Sequence, residues 1–175
     1  MISNRLIIQF IVSLYVVFFV SLVFPFINLG IVPRTLKGLV GIITSPFLHA
    51  NFRHIVSNTI PLAVFLFVLN HFYPEKSFTV IISIVLLCGI MVWIFGREAN
   101  HIGASGLIYG LAAFLVANGF VEQKFVSIAI SVGVIILYGG MIWGIFPSLR
   151  SYISWESHLF GAIAGVAVAF LLKSK

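Results

Sequence analysis

The sequence predicts an all-α polytopic membrane protein, a compact bundle of six transmembrane helices. Two observations carry this. Of 175 residues, 61% are hydrophobic and only 8% are charged, and the mean hydropathy is +1.20; a water-soluble domain carries roughly a quarter charged residues. The apolar residues also fall in runs of about 20, the length that crosses a hydrocarbon core. Backbone groups in lipid must be satisfied within the segment, so each run is expected to be helical.

The expected spans are 6–27, 52–72, 78–95, 102–121, 125–146 and 157–172. The first is longer than a signal-peptide core and lacks a small-x-small cleavage site, so it reads as a retained span. The second and sixth each carry polar residues early, and the sixth is short. The polar break at 28–51 is half apolar, with Pro33, Pro46 and Phe47, and its length points to an element of its own lying partly in the membrane interface. The remaining breaks are short and leave no room for a soluble domain, so residues 1–175 read as one membrane domain. No internal repeat or low-complexity segment stands out.

Charge excludes some functions. The net +6 comes from ten Lys/Arg against four Asp/Glu, and the basic residues are dispersed between apolar runs. They read as membrane-edge anchors; a nucleic-acid surface would cluster them. Six spans put both termini on one side, but charge does not orient the chain. One side holds Arg5, Lys76, Lys124, Lys173 and Lys175, the other Arg34, Lys37, Arg53, Arg97 and Arg150. Cys88 is alone, which excludes a disulfide framework within the chain.

Intramembrane polar residues are costly and mark candidate sites. They gather at the starts of three even-numbered spans, which alternate topology brings to one membrane face. His54 and Asn58 share a face of the second span, being four residues apart. Ser105 and Tyr109 are likewise four apart at the start of the fourth, inside Gly103-Ala-Ser-Gly-Leu-Ile-Tyr-Gly110. His158 opens the sixth. Gly106 and Gly110 on the fourth span and Gly161 and Gly165 on the sixth form Gly-xxx-Gly patterns that permit close backbone approach in lipid. Packing those two spans brings Ser105 within reach of His158.

A serine becomes a nucleophile when a base takes its proton, and neutral histidine is the usual base. The chain contains no aspartate, and its glutamates (75, 98, 122 and 156) fall in or beside loops. Glu156, close to His158, is expected to point elsewhere. A Ser105–His158 dyad follows, with Tyr109 as a ring that orients the histidine. Asn58, His54 and the Ser105 backbone N–H at a helix start are candidate oxyanion donors. Each residue also has a plainer reading: His54 and Asn58 as interhelical hydrogen bonds, His158 as a buried structural histidine, Ser105 as a small packing residue. His49, His71 and His101 read as interfacial, and no metal triad forms.

These motifs resemble those of rhomboid intramembrane serine proteases. Gly103-Ala-Ser105-Gly106 with Tyr109 is similar to the family's Gly-x-Ser-Gly motif. His49-Ala-Asn-Phe-Arg-His54-Ile-Val-Ser-Asn58 resembles its His-x4-His-x3-Asn stretch, and Ser154-Trp-Glu-Ser-His158-Leu-Phe-Gly161-Ala-Ile-Ala-Gly165 its last core helix. The resemblance implies an endopeptidase that cuts transmembrane segments of other proteins without a cofactor or metal. Ser105 would be the nucleophile and His158 the base; His54, Asn58 and the Ser105 amide would form the oxyanion hole, and His49 would steady the first loop. Its partners would be transmembrane substrates and the bilayer, with no nucleic acid. Its place would be the bacterial inner membrane, with the site toward the outer face. Residues 28–51 would be the membrane-dipping first loop, and the fifth span with the cap before the sixth would admit substrate. Where the family usually carries a Trp-Arg pair in that loop, this chain has Pro33-Arg34. Two other classes fit the composition: a non-catalytic rhomboid-like protein that binds transmembrane helices, and a small channel, which the lack of acidic residues inside the spans disfavours.

Overall fold

The computed structural model describes residues 3–24, 29–147 and 154–173. Residues 25–27 of the first expected span, most of the cap before the sixth, and Arg150 and Lys175 lie outside them. The described chain is helical: α1 (Asn4–Val23), α2 (Leu36–Thr44), α3 (Phe52–Phe72), α4 (Ser77–Phe95), α5 (Ser105–Glu122), α6 (Phe125–Tyr138) and α7 (Trp155–Leu171). A 3-10 segment, Gly139–Ile145, continues α6.

Among the described residues, five helices are long and apolar enough to cross a membrane: α1, α3, α4, α5, and α6 with its 3-10 continuation. The expected count of six is therefore not reached by length. The remaining apolar helix of the bundle, α7, has 17 residues. The long break holds α2, capped at its start by Thr35 Oγ1, which accepts from the Gly38 N–H at 3.1 Å. A 3-10 turn, Ser45–Phe47, follows it.

The fourth expected run becomes helical only at Ser105, three residues late. Gly103 has φ +113°, a left-handed conformation available to glycine and excluded from a helix. The opposite holds for α3. Asn51 Oδ1 accepts from the His54 N–H at 2.9 Å, which caps the helix one turn before the residues of interest.

Buried side chains of α1, α3, α4, α5 and α7 form the main core, centred on Phe65, Leu62, Leu111, Phe114 and Leu115. α5 and α7 meet backbone on backbone. A Cβ on Gly161 would overlap the Gly106 carbonyl, and one on Gly165 the Gly110 carbonyl; one on Gly110 would stand 3.0 Å from the Gly161 carbonyl oxygen. Only glycine permits this approach, and in lipid, close packing rather than apolarity holds helices together. At the far end of the bundle, Lys76 Nζ pairs with Glu122 Oε1 at 3.3 Å, and Ser127 Oγ donates to Glu122 Oε2 at 2.8 Å.

Candidate active site

α3, α5 and α7 begin at the same end of the bundle, and the glycines measure how closely. A Cβ on Gly103 would lie 2.8 Å from both Cε1 and Nε2 of the His54 ring and 3.8 Å from Asn58 Nδ2. One on Gly106 would lie 3.3 Å from the Ser157 carbonyl oxygen. Ser105 sits between these two contacts, half-buried, as the first residue of α5. No side chain caps α5, so its first N–H groups remain available as donors.

The His158 ring stacks on the Tyr109 ring, centroids 4.1 Å apart and planes within 6°. His158 Nδ1 lies 2.9 Å from the Gly144 carbonyl oxygen. A carbonyl only accepts, so Nδ1 carries the proton and Nε2 keeps its lone pair. The Tyr109 hydroxyl donates to the Met141 carbonyl at 2.7 Å.

Asn58 is 5% exposed and donates one amide hydrogen to the His54 carbonyl at 3.1 Å; its second amide hydrogen is left for another acceptor. The His49 ring meets the His54 ring edge-on, centroids 5.0 Å apart.

Of the three histidines read as interfacial, His49 and His101 are buried within the protein, at 7% and 2% exposure, while His71 is exposed. For His101 the reason lies in partners that composition does not reveal. His101 pairs with Ile31 in a single antiparallel bridge, and its Nε2 donates to the Arg97 carbonyl at 3.1 Å. Its Nδ1 therefore accepts from Ser154 Oγ at 2.6 Å, and Ser154 Oγ in turn accepts from Ser157 Oγ at 2.6 Å. Desolvation by burial lowers the His101 pKa below the ordinary histidine value, which keeps this ring neutral in the chain of bonds. Burial, with the neighbouring His54 second, lowers the His49 pKa to about 4; the Phe47 carbonyl, out of hydrogen-bonding geometry, offsets this only in part.

Glu156 turns away from His158. It is 2% exposed, and its Oε1 lies 3.4 Å from Arg97 Nε. The loop before α5 is thus fastened to the start of α7 by His101–Ser154–Ser157 and by Arg97–Glu156. Among the described residues, no group of three or more His, Cys, Asp or Glu is placed to hold a metal ion.

The first loop is fastened to the same body. The Gly103 N–H donates to the Ser45 carbonyl at 2.9 Å. Arg34, at φ 59°, takes the Trp93 carbonyl on its N–H at 3.0 Å and donates Nη1 to the Gly96 carbonyl at 2.8 Å. The tryptophan that the loop lacks comes from α4: Trp93 Nε1 donates to the Thr35 carbonyl at 2.8 Å.

A sequence model described as Rhomboid domain matches residues 36–175. The chain belongs to the rhomboid family. With its apolar helices, that makes it a multi-pass membrane protein. This rhomboid is 39% identical over 153 residues to uncharacterized proteins of Mycobacterium bovis and Mycobacterium tuberculosis, a stretch covering 83% of this chain and 64% of theirs. It is 37% identical over 142 residues to an uncharacterized protein of Mycobacterium leprae, covering 77% of this chain and 56% of that one. The rhomboid chain described here thus spans less than two thirds of the length of these relatives.

Sequence reasoning missed Gly144, Met141, Ser154 and Ser157. Two of these act through backbone carbonyls, which every residue carries. The Ser154-x-x-Ser157 spacing at a helix start was the one available signal.

Proposed function

We propose that the protein is an intramembrane serine endopeptidase acting on transmembrane segments of other membrane proteins in a bacterial inner membrane, with its site toward the outer face. One observation carries the reading. The Gly106 position packs against the Ser157 backbone, which joins the start of α5, where Ser105 stands, to the start of α7, where His158 stands; this supports pairing the two residues.

In this reading His158 Nε2 takes the Ser105 hydroxyl proton as Oγ bonds to the scissile carbonyl carbon. The negative charge that develops on the carbonyl oxygen takes hydrogen bonds from the Ser105 N–H, the second amide hydrogen of Asn58 and the His54 ring. The peptide C–N bond then breaks, and the leaving amine takes the proton held by His158. Water attacks the acyl-Ser105 ester as His158 takes its proton; the acyl C–Oγ bond then breaks, His158 returns the proton to Oγ, and the carboxyl product leaves with both residues restored. His49 supports His54 from the first loop.

The test is cleavage of a single-span substrate in proteoliposomes together with fluorophosphonate labelling. Wild type is expected to cleave and to label, and Ser105→Ala and His158→Ala to do neither. Cleavage undiminished by either substitution would remove the dyad. A wild-type protein that binds the substrate helix but neither cleaves nor labels would favour the non-catalytic, helix-binding reading.

A further inference from the structure

We propose that Gly144 is a positioning residue for the reaction: its carbonyl fixes the His158 tautomer, and its lack of a side chain makes room for the Tyr109–His158 stack. This rests on the Ser105–His158 reading. In hydrolases built on a serine and a histidine, a carboxylate usually accepts from Nδ1, orients the ring and stabilises the imidazolium. This chain has no aspartate, and Glu156 is turned to Arg97. The atom at Nδ1 is the Gly144 carbonyl oxygen, at 2.9 Å. A neutral carbonyl supplies the orienting half of that role and, as a dipole, part of the electrostatic half.

The second, independent observation is steric. A Cβ on Gly144 would overlap the Tyr109 hydroxyl oxygen, and would lie 3.0 Å from Tyr109 Cζ and 3.1 Å from His158 Nδ1. Gly140, four residues earlier in the same 3-10 segment, has nothing within 4 Å of its own Cβ position. The two glycines therefore differ in what they touch, although their sequence context is alike.

The carbonyl also has an unusual support. No residue of Gly139–Ile145 is buried, and α6 itself buries only Ser127 and Ser131, toward its other end. Among the described residues, the side-chain hydrogen bonds that tie this segment to the body are those from Tyr109 to Met141 and from His158 to Gly144. Moving the segment outward would break both and free the imidazole to rotate and change tautomer. The base is thus set for proton transfer while the segment lies against α5 and α7. The other ionisable groups that act on His158 are His54 on α3 and Glu156 on its own helix; both stand on elements other than the segment and would stay in place.

The test compares Gly144→Ala with Gly140→Ala in detergent and in proteoliposomes. Gly144→Ala is expected to lower kcat by about 10²-fold with KM little changed, the scale on which a catalytic group displaced by an ångström acts, and Gly140→Ala to match wild type. Because Gly144→Ala also strains its neighbours, a second measurement needs no turnover. In nitrogen-15 histidine spectra at neutral pH, with His158 assigned by its loss in His158→Ala, wild type is expected in the Nδ1–H tautomer. Gly144→Ala is expected to move it toward Nε2–H. A wild-type His158 in the Nε2–H form, or equal kcat for the two alanine variants, overturns the role given to Gly144. Absence of Ser105-dependent labelling in wild type overturns the protease reading instead, and the tautomer still decides whether Gly144 holds the ring.

Discussion

α5 and α6 are neighbours in sequence and both are long enough to cross a membrane once α6 is counted with its 3-10 continuation, yet they occupy opposite environments. α5 buries eleven residues, including Gly106, Gly110, Asn118 and Gly119. α6 buries two serines and leaves Ile136 and Leu137 each 75% exposed. The helix richer in glycine and asparagine is the inner one. In water this order would be inverted, but lipid is as apolar as a protein core, so apolar side chains gain nothing by facing inward. What selects the inner helix is the ability to be approached, and glycine has it.

The sharpest way to break this comparison is to put bulk into the seam. Gly161→Leu is expected to abolish activity and to lower the unfolding midpoint by more than any apolar truncation on α6. Overpacking of a tight contact costs about 1–3 kcal/mol, occasionally more, and here the clash is with the Gly106 backbone, which has no rotamer to give. A folded, active Gly161→Leu would show that the seam is not what sets the geometry. Asn58→Ala comes next, because it touches the site without touching the seam. It is expected to lose about 10²–10³ in kcat, the cost of one oxyanion donor, with a small change in midpoint. A large midpoint change with normal kcat would make Asn58 a packing residue.

The third prediction concerns pH. With a folded-state pKa of about 4 for His49 and an unperturbed value near 6.5, the unfolded chain binds the proton more readily. His49 therefore contributes stability that is complete above about pH 6.5 and is lost as the pH falls toward 4. His49→Gln is expected to flatten the fall of the unfolding midpoint over that window, and an unchanged slope would count against it. Last and smallest, Ile136→Ala and Leu137→Ala on the outer face of α6 are expected to stay within about 0.5 kcal/mol of wild type. A larger loss would mean that α6 is packed after all.

Much of this organisation was legible from residue order. Apolar runs marked the helices because lipid leaves the backbone no other partner. The paired glycines on α5 and α7 marked the seam, because close approach in lipid has few other residue signatures. The placement of His54, Asn58, Ser105 and His158 at one end followed from topology. Their catalytic roles are a matter for the tests above. An element was expected inside the long break, but its helical form was hidden because Gly38 and Gly41 weaken a helical pattern; both are buried, where a Cβ would strike the Val32 or Gly30 backbone. The burial of His101 was illegible because its partners are carbonyls and serines assembled from three segments. The loop anchor was half legible: Arg34 stood where a basic residue was sought, but Trp93 reaches it from a helix some sixty residues away, as the bonds between residues 34 and 94 and between 93 and 35 record.

The order of α5 and α7 along the chain has a bearing on biogenesis. Ser105 leaves the ribosome and enters the bilayer well before His158, and until α7 arrives the glycine face of α5 has only lipid against it. On the proposed chemistry, the nascent protein holds a serine with no base and a histidine site not yet made. On that same proposal, proteolytic competence would wait for α7 to close the seam, and a chain stalled before α7 would carry no complete dyad.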